Sequence, residues 1–178
     1  MVRVWVEKGK AWAQQHLGGN YKSGVGVKQS YKKALKLYRA AVKQNDATAM
    51  YRLGWMYRRG LGVKQSDERA VEYYSMAVDQ GHRGAQYNLG VVYENGEGVQ
   101  QSYEKACELY KLAADQGYAD AQLNLGTAYY NGGQGVDQSF DTAREWWTKA
   151  GEQGNENAIN NLKILLKYLK DLFKKINK

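Results

Sequence analysis

The stretch Leu53–Val63, LGWMYRRGLGV, comes back three more times with the same residue types in the same places. The copies read LGGNYKSGVGV at Leu17–Val27, LGVVYENGEGV at Leu89–Val99 and LGTAYYNGGQGV at Leu125–Val136, the last with one extra glycine. Gly18, Gly54, Gly90 and Gly126 are each 36 residues apart, and such a fixed period is the signature of a repeat architecture. Around the quoted stretch, Ala49, Leu53, Met56 and Tyr57 follow helical spacing and predict a first helix, A. Gly60, matched by Gly24, Gly96 and Gly132, is expected to close helix A in the left-handed conformation.

A serine follows each Gly-Val: Ser30, Ser66, Ser102 and Ser139. Each stands where its hydroxyl can accept from the free N–H groups of a second helix, B. Glu68, Glu104 and Asp141 then fall in the first turn, where the helix dipole favours acids. Within helix B, Ala34, Ala70, Ala106 and Ala143 are followed four residues on by Tyr38, Tyr74, Tyr110 and Trp147, and then by Ala41, Ala77, Ala113 and Ala150. Small residues alternating with rings let two helices approach at one level and interlock at the next. Gly81, Gly117 and Gly154 are expected to end helix B, with Asn45 in that role in the first copy.

The reading is a single repeat domain over residues 1–178. Residues 1–9 form the tail of a truncated helix B, with Val2 at the ring position; a strand through Val2, Val4 and Val6 would have nothing to pair with. Four repeats occupy 10–45, 46–81, 82–117 and 118–154. Residues 155–178 keep register at Ala158 and Leu162, but Lys163 replaces the glycine and no turn follows. Leu162, Leu165, Leu166, Leu169, Leu172, Phe173 and Ile176 make one apolar stripe, with Lys163, Lys167, Lys170, Lys174 and Lys178 off it. That is a long amphipathic helix, expected to cap the last repeat; docking on a membrane surface or a partner is its second reading.

The quoted residues resemble the Sel-1-like repeat family, a longer-looped relative of the tetratricopeptide repeat. The third copy shows the pattern at Ala85, Leu89, Gly90, Tyr93, Gly96, Gly98, Val99, Lys105, Ala106, Tyr110, Ala113 and Gly117. The resemblance covers residues 11 to about 166 and implies an all-α, right-handed α-solenoid of antiparallel helix pairs, with the A helices lining a concave face. It further implies a non-enzymatic adaptor or scaffold that assembles protein complexes. Some cysteine-rich secreted members resemble enzymes acting on β-lactams, but their paired cysteines are missing here.

Composition narrows the rest. Mean hydropathy is −0.72, and no apolar run approaches the ~18 residues of a spanning helix. Cys107 is the single cysteine, so no intramolecular disulfide forms. That fact, an N-terminus too soon charged for a signal peptide and the lack of glycosylation sites lead us to expect an intracellular, cytoplasmic location. The +8 net charge is uneven: +9 over residues 1–43, 0 over 44–82, −6 over 83–162 and +5 over 163–178. Such polarity favours steering of an acidic partner or self-association of copies. It disfavours nucleic acid, which wants a continuous positive track.

No chemistry emerges. His16 and His82 lie in different kinds of segment, and His82 reads as an exposed helix-end residue. Cys107 reads as packed, and no metal, nucleotide or calcium motif is present, so neither catalysis nor a cofactor is expected. Function is then expected on side chains that vary between copies. Tetratricopeptide groove positions carried across by register give Gln15, Gly19, Lys22 and Ser23 in the first copy and Thr48, Tyr51, Trp55, Arg58 and Arg59 in the second. They give Tyr87, Val91, Glu94 and Asn95 in the third, and Leu123, Thr127, Tyr130 and Asn131 in the fourth. Tyr51, Trp55, Arg58 and Arg59 stand out as a hot spot for a protein or peptide in the groove. The alternative is an engineered or self-assembling solenoid scaffold without a natural ligand.

Overall fold

A computed structural model describes residues 2–133 and 135–176, the side chains of Val2, Arg3 and Ile176 excepted. The placement of Val2 at a ring position, of Ile176 on the terminal stripe and of Lys178 off it therefore falls outside what is described. Among the described residues there are ten helices and no strand. They are α1 (Val2–Glu7), α2 (Ala11–Ser23), α3 (Tyr31–Val42), α4 (Ala47–Arg59), α5 (Asp67–Val78), α6 (Arg83–Asn95), α7 (Tyr103–Asp115), α8 (Ala119–Asn131), α9 (Phe140–Glu152) and α10 (Glu156–Ile176). The A helices are α2, α4, α6 and α8; the B helices are α3, α5, α7 and α9. The residues group into two compact units, one running through residue 89 and taking in 97–100, the other comprising 90–96 and everything from 101 onward. Helix α6 contributes to both.

Local sequence sets the helix limits. The hydroxyls of Ser30, Ser66, Ser102 and Ser139 accept from the backbone N–H groups of Lys33, Arg69, Lys105 and Thr142. Asn45, at φ 62°, is the non-glycine residue with positive φ among those described, and it ends α3 as Gly81 ends α5. Asparagine tolerates that conformation because its short polar side chain can bond locally. One closure departs from expectation. Gly24 and Gly60 are left-handed, whereas Gly132 combines φ 68° with an extended ψ of 177°. The extra Gly133 takes φ 72° and donates to the Val136 carbonyl at 3.0 Å, so the inserted residue re-routes this loop.

Packing inside each repeat turns on one contact. The ring from helix B packs against the glycine of Leu-Gly in helix A. A β-carbon on Gly18 would sit 2.8 Å from the Tyr38 ring, on Gly54 2.7 Å from Tyr74, on Gly90 2.7 Å from Tyr110 and on Gly126 2.6 Å from Trp147. Ala34, Ala70, Ala106, Ala143 and the A-helix alanines Ala13, Ala49, Ala85 and Ala121 are buried around these rings. The second loop glycine serves a different approach. A β-carbon on Gly62 would meet Tyr31 Cβ at 2.7 Å, on Gly98 the Asp67 carbonyl carbon at 2.7 Å, and on Gly135 Glu104 Cα at 2.6 Å. Each loop thus rests on the first turn of the preceding repeat's B helix.

Helix α10 starts as an A helix: the Asn155 side chain accepts from the Ala158 N–H, and Ala158 and Leu165 are fully buried against α9. The terminal stripe packs only in part. Leu162 and Leu169 join that core, but Leu166, Leu172 and Phe173 are exposed, Phe173 at 70%. With Lys163 where the ring-accepting glycine stands in the A helices, and no glycine to stop it, the helix runs on past its own contact surface.

Two adjacent helical glycines should respond in opposite senses to alanine. At Gly18 the added methyl collides with the Tyr38 ring, where overpacking costs about 1–3 kcal/mol against about 1 kcal/mol returned by helix propensity. At Gly19 the nearest atom is 3.8 Å away, so only the propensity gain remains. Thermal melts are expected to show Gly18→Ala less stable and Gly19→Ala more stable than the parent chain.

Candidate functional site

With alanines, rings and glycines committed to packing, the expected site residues are the A-helix side chains that differ between copies. In the first unit, α2 and α4 bring several together. Lys22 Nζ stands 4.8 Å above the Trp55 ring, and Trp55 itself leans on the core with its far side half-exposed. Gln15, Gly19, Lys22 and Ser23 line one cleft of about 270 Å³ with His16, Asn20, Tyr38 and Arg52. Burial, then the nearby Arg52 guanidinium, hold the Lys22 ammonium below its ordinary pKa. Thr48 is half-buried and Arg59 exposed.

Two members of the expected hot spot already have internal partners. Arg58 pairs with Glu97, at 2.6 Å from one guanidinium nitrogen and 2.9 Å from Nε. Tyr51 stacks on the His82 ring at 4.7 Å and lies 6.1 Å from Tyr74. Tyr51 is thus a packing residue at one face, leaving Trp55, Lys22, Gln15 and Arg59 as the accessible group of this unit. Tyr87, on α6, is half-buried.

In the second unit the expected positions divide similarly. Glu94 accepts from the Tyr110 hydroxyl at 2.5 Å. Thr127 donates to the Leu123 carbonyl at 3.0 Å, and Leu123 and Tyr130 pack against the Trp147 core, Tyr130 5.4 Å from both Phe140 and Trp147. Glu94, Thr127 and Asn131 line a cavity of about 260 Å³ with Tyr103, Cys107, Tyr110 and Asn124. Cys107 is buried there, and burial first, then the Glu94 charge, push its thiol pKa up, which keeps it protonated. Val91 is half-buried; Asn95 and Asn131 are exposed.

Three features escaped the sequence reading. A glutamine precedes every capping serine, and its amide braces the end of helix A: Gln29 donates to the Lys22 carbonyl, Gln101 to Glu94 and Gln138 to Tyr130, at 2.7–2.9 Å. Its recurrence in all four copies was the available signal. Second, cations three residues after the serine cover the Leu-Gly-x-x-Tyr rings: Lys33 over Tyr21, Arg69 over Tyr57 and Lys105 over Tyr93, at 5.1–5.5 Å. Third, His82 is half-buried rather than exposed, its Nδ1 accepting from the Ala85 N–H at 3.2 Å as the cap of α6. Among the described residues no group of three or more His, Cys, Asp or Glu is placed to hold a metal, and no helix is long and apolar enough to cross a membrane.

Antiparallel helix pairs at a fixed period, with constant residues inside and variable ones outside, define a helical-repeat scaffold. The Sel1 repeat profile matches residues 13–46, 47–82, 84–118 and 119–155, and the chain belongs to the Sel1 repeat family, with its solenoid fold. It is 38% identical, at a TM-score of 0.86 over 90% of its length, to a protective antigen of uropathogenic Escherichia coli displaying an SLR fold. It is 31% identical to a Sel1 repeat protein from Oxalobacter formigenes, at a TM-score of 0.80 over 88%. An immunity protein of Pseudomonas aeruginosa, Pa5087, is similar at 25% identity and a TM-score of 0.60 over 88%. The chain spans 34%, 62% and 58% of these three proteins. No curated protein sequence matches it. Sel1 repeat proteins are typically protein-interaction scaffolds and generally non-catalytic.

The His82 cap gives a pH dependence. Burial chiefly, opposed by a backbone hydrogen bond and Asp46 and reinforced by Arg52 and Arg83, holds the imidazole below its ordinary pKa of 6.5. A protonated Nδ1 can no longer accept from Ala85. The folded pKa being depressed, this stability is complete above pH 6.5 and is lost as pH falls toward and through the folded pKa. His82→Asn, which caps without titrating there, should flatten the fall in melting temperature just below pH 6.5 relative to the parent.

Proposed function

We propose that the chain is an interaction module that seats a peptide or a partner's segment along its A helices. The observation that carries this reading is the division of labour between positions. Residues constant across copies are consumed by the ring-on-glycine contact, the caps and the loops, while Gln15, Lys22 and Trp55 differ from their counterparts and remain accessible on α2 and α4. An aromatic beside a cation and an arginine such as Arg59 is the composition that dominates protein interfaces. The family's typical role as a protein-interaction scaffold supports the same reading. Neither a catalytic nor a cofactor role is invoked, since every group named here binds by packing, charge or hydrogen bonding.

The test compares two surfaces of one chain. Gln15→Ala, Trp55→Ala and Arg59→Ala combined removes the A-helix group without touching the Tyr51 stack or the Arg58–Glu97 pair. Lys32→Ala, Lys36→Ala and Lys43→Ala combined removes cations lining a cleft of about 850 Å³ on α3. Pull-down with crosslinking is expected to yield a partner held by the parent and by the lysine variant but lost by the A-helix variant, all three melting within a few degrees. Loss of the partner by the lysine variant alone would move the interface to the B helices and overturn the proposal.

A further inference from the structure

The ring hydroxyl of helix B meets different company in each repeat. It reaches toward two variable positions, five residues after the leucine of its own Leu-Gly and one residue before the leucine of the next. In the second repeat these are Arg58 and Asn88, and Asn88 Nδ2 donates to the Tyr74 hydroxyl at 3.3 Å. In the third they are Glu94 and Asn124, and the Tyr110 hydroxyl donates to Glu94 at 2.5 Å. In the first they are Lys22 and Arg52, two cations that offer no acceptor. Tyr38 is fully buried, and its hydroxyl is a buried polar atom without a hydrogen-bond partner.

Tyr38 is among the residues that line the 270 Å³ cleft between α2 and α4. Gln15, His16, Asn20, Lys22 and Arg52 surround it, and no acid lines it. Lys22 and Arg52 enter no ion pair among the described residues. Their like charges repel, and a buried hydroxyl left unbonded costs free energy. One anion between them relieves both. The third repeat shows which anion this position accepts, since there a carboxylate of the chain itself takes the hydroxyl's hydrogen bond.

We propose that the first repeat's cleft is a carboxylate-binding subsite, in which an acidic group of a bound protein segment accepts from the Tyr38 hydroxyl and lies between Lys22 and Arg52. The inference deepens the peptide-binding reading above and rests on it for the ligand's source. A side-chain carboxylate and a chain-terminal one share this chemistry, and the test separates them.

Three acetylated tripeptides serve as probes in NMR titrations of the intact chain: Ala-Ala-Glu amide, Ala-Ala-Gln free acid and Ala-Ala-Gln amide. Saturable shifts at Lys22, Tyr38 and Arg52 are expected with a carboxylate-bearing probe and not with Ala-Ala-Gln amide. Binding of the Glu amide assigns a side-chain carboxylate; binding of the Gln acid assigns a chain terminus. Lys22→Gln and Arg52→Gln should each weaken that binding about tenfold or more, the loss of one charge-assisted contact. Tyr38→Phe keeps the ring on Gly18, so the unliganded protein should melt no lower than the parent while binding weakens severalfold. Equal binding of all three peptides, no saturable shift with either acid into the tens of millimolar, or undiminished binding by Tyr38→Phe would overturn the proposal. Because no partner protein enters these titrations, their failure leaves partner capture standing, and failed capture leaves a measured carboxylate site standing.

Discussion

A ring lying on a glycine is the contact on which this molecule depends. It occurs four times, and each time a β-carbon would stand 2.6–2.8 Å from the ring. Ordinary side chains would force the A and B helices apart, and the fully buried alanines above and below the ring would lose their contacts. The glycine weakens helix A locally by about 1 kcal/mol. Burial of a Tyr or Trp ring, at roughly 25 cal/mol per Å² of apolar surface, more than offsets that. The contact also points the ring's polar end, Tyr hydroxyl or Trp N–H, toward the A-helix face, where Trp147 finds the Leu123 carbonyl at 3.1 Å. Packing therefore hands each repeat one polar group at a fixed place, and the variable residues around it decide its use.

The loops carry the array from one repeat to the next by the same means. A second glycine, at Gly62, Gly98 and Gly135, lets backbone or β-carbon of the preceding B helix come within 2.6–2.7 Å of where a side chain would begin. A β-carbon on Gly26 in the first copy would have nothing within 4 Å among the described residues. Between these contacts, glutamine braces and cation-covered tyrosines tie the end of helix A to the start of helix B. Where the pattern stops, the packing thins: Lys163 stands in place of the glycine, and Leu166, Leu172 and Phe173 of α10 are exposed.

The variable face is less uniform than its register suggests. Arg58, Glu94, Tyr51 and Tyr130 occupy positions equivalent to accessible ones, yet each is spent inside the chain, on Glu97, Tyr110, His82 and the Trp147 core. Internal spending concentrates the open chemistry on α2 and the outer half of α4. The first repeat is also the most basic part of the chain, so its unsatisfied hydroxyl sits in a field suited to an anion.

The amino-acid sequence by itself determined the repeat, the helix pairs, the serine caps, the Asn45 turn and the interior rings and alanines. All of these follow from local rules of period, φ sign and capping, which need no knowledge of what lies across the fold. Only the tertiary structure decided which variable side chains are free, because their partners come from other helices or loops: Glu97 lies 39 residues from Arg58, and His82 caps one helix while stacking on the tyrosine of another. It likewise decided that Gly132 closes differently, since one inserted residue changes a loop's path, and that Tyr38 alone among the four buried rings has no hydrogen-bond partner, since neither Lys22 nor Arg52 bonds its hydroxyl where Glu94 and Asn88 bond those of Tyr110 and Tyr74. Long-range pairing is a property of where the helices bring side chains together, and a one-dimensional register carries no distance across the groove.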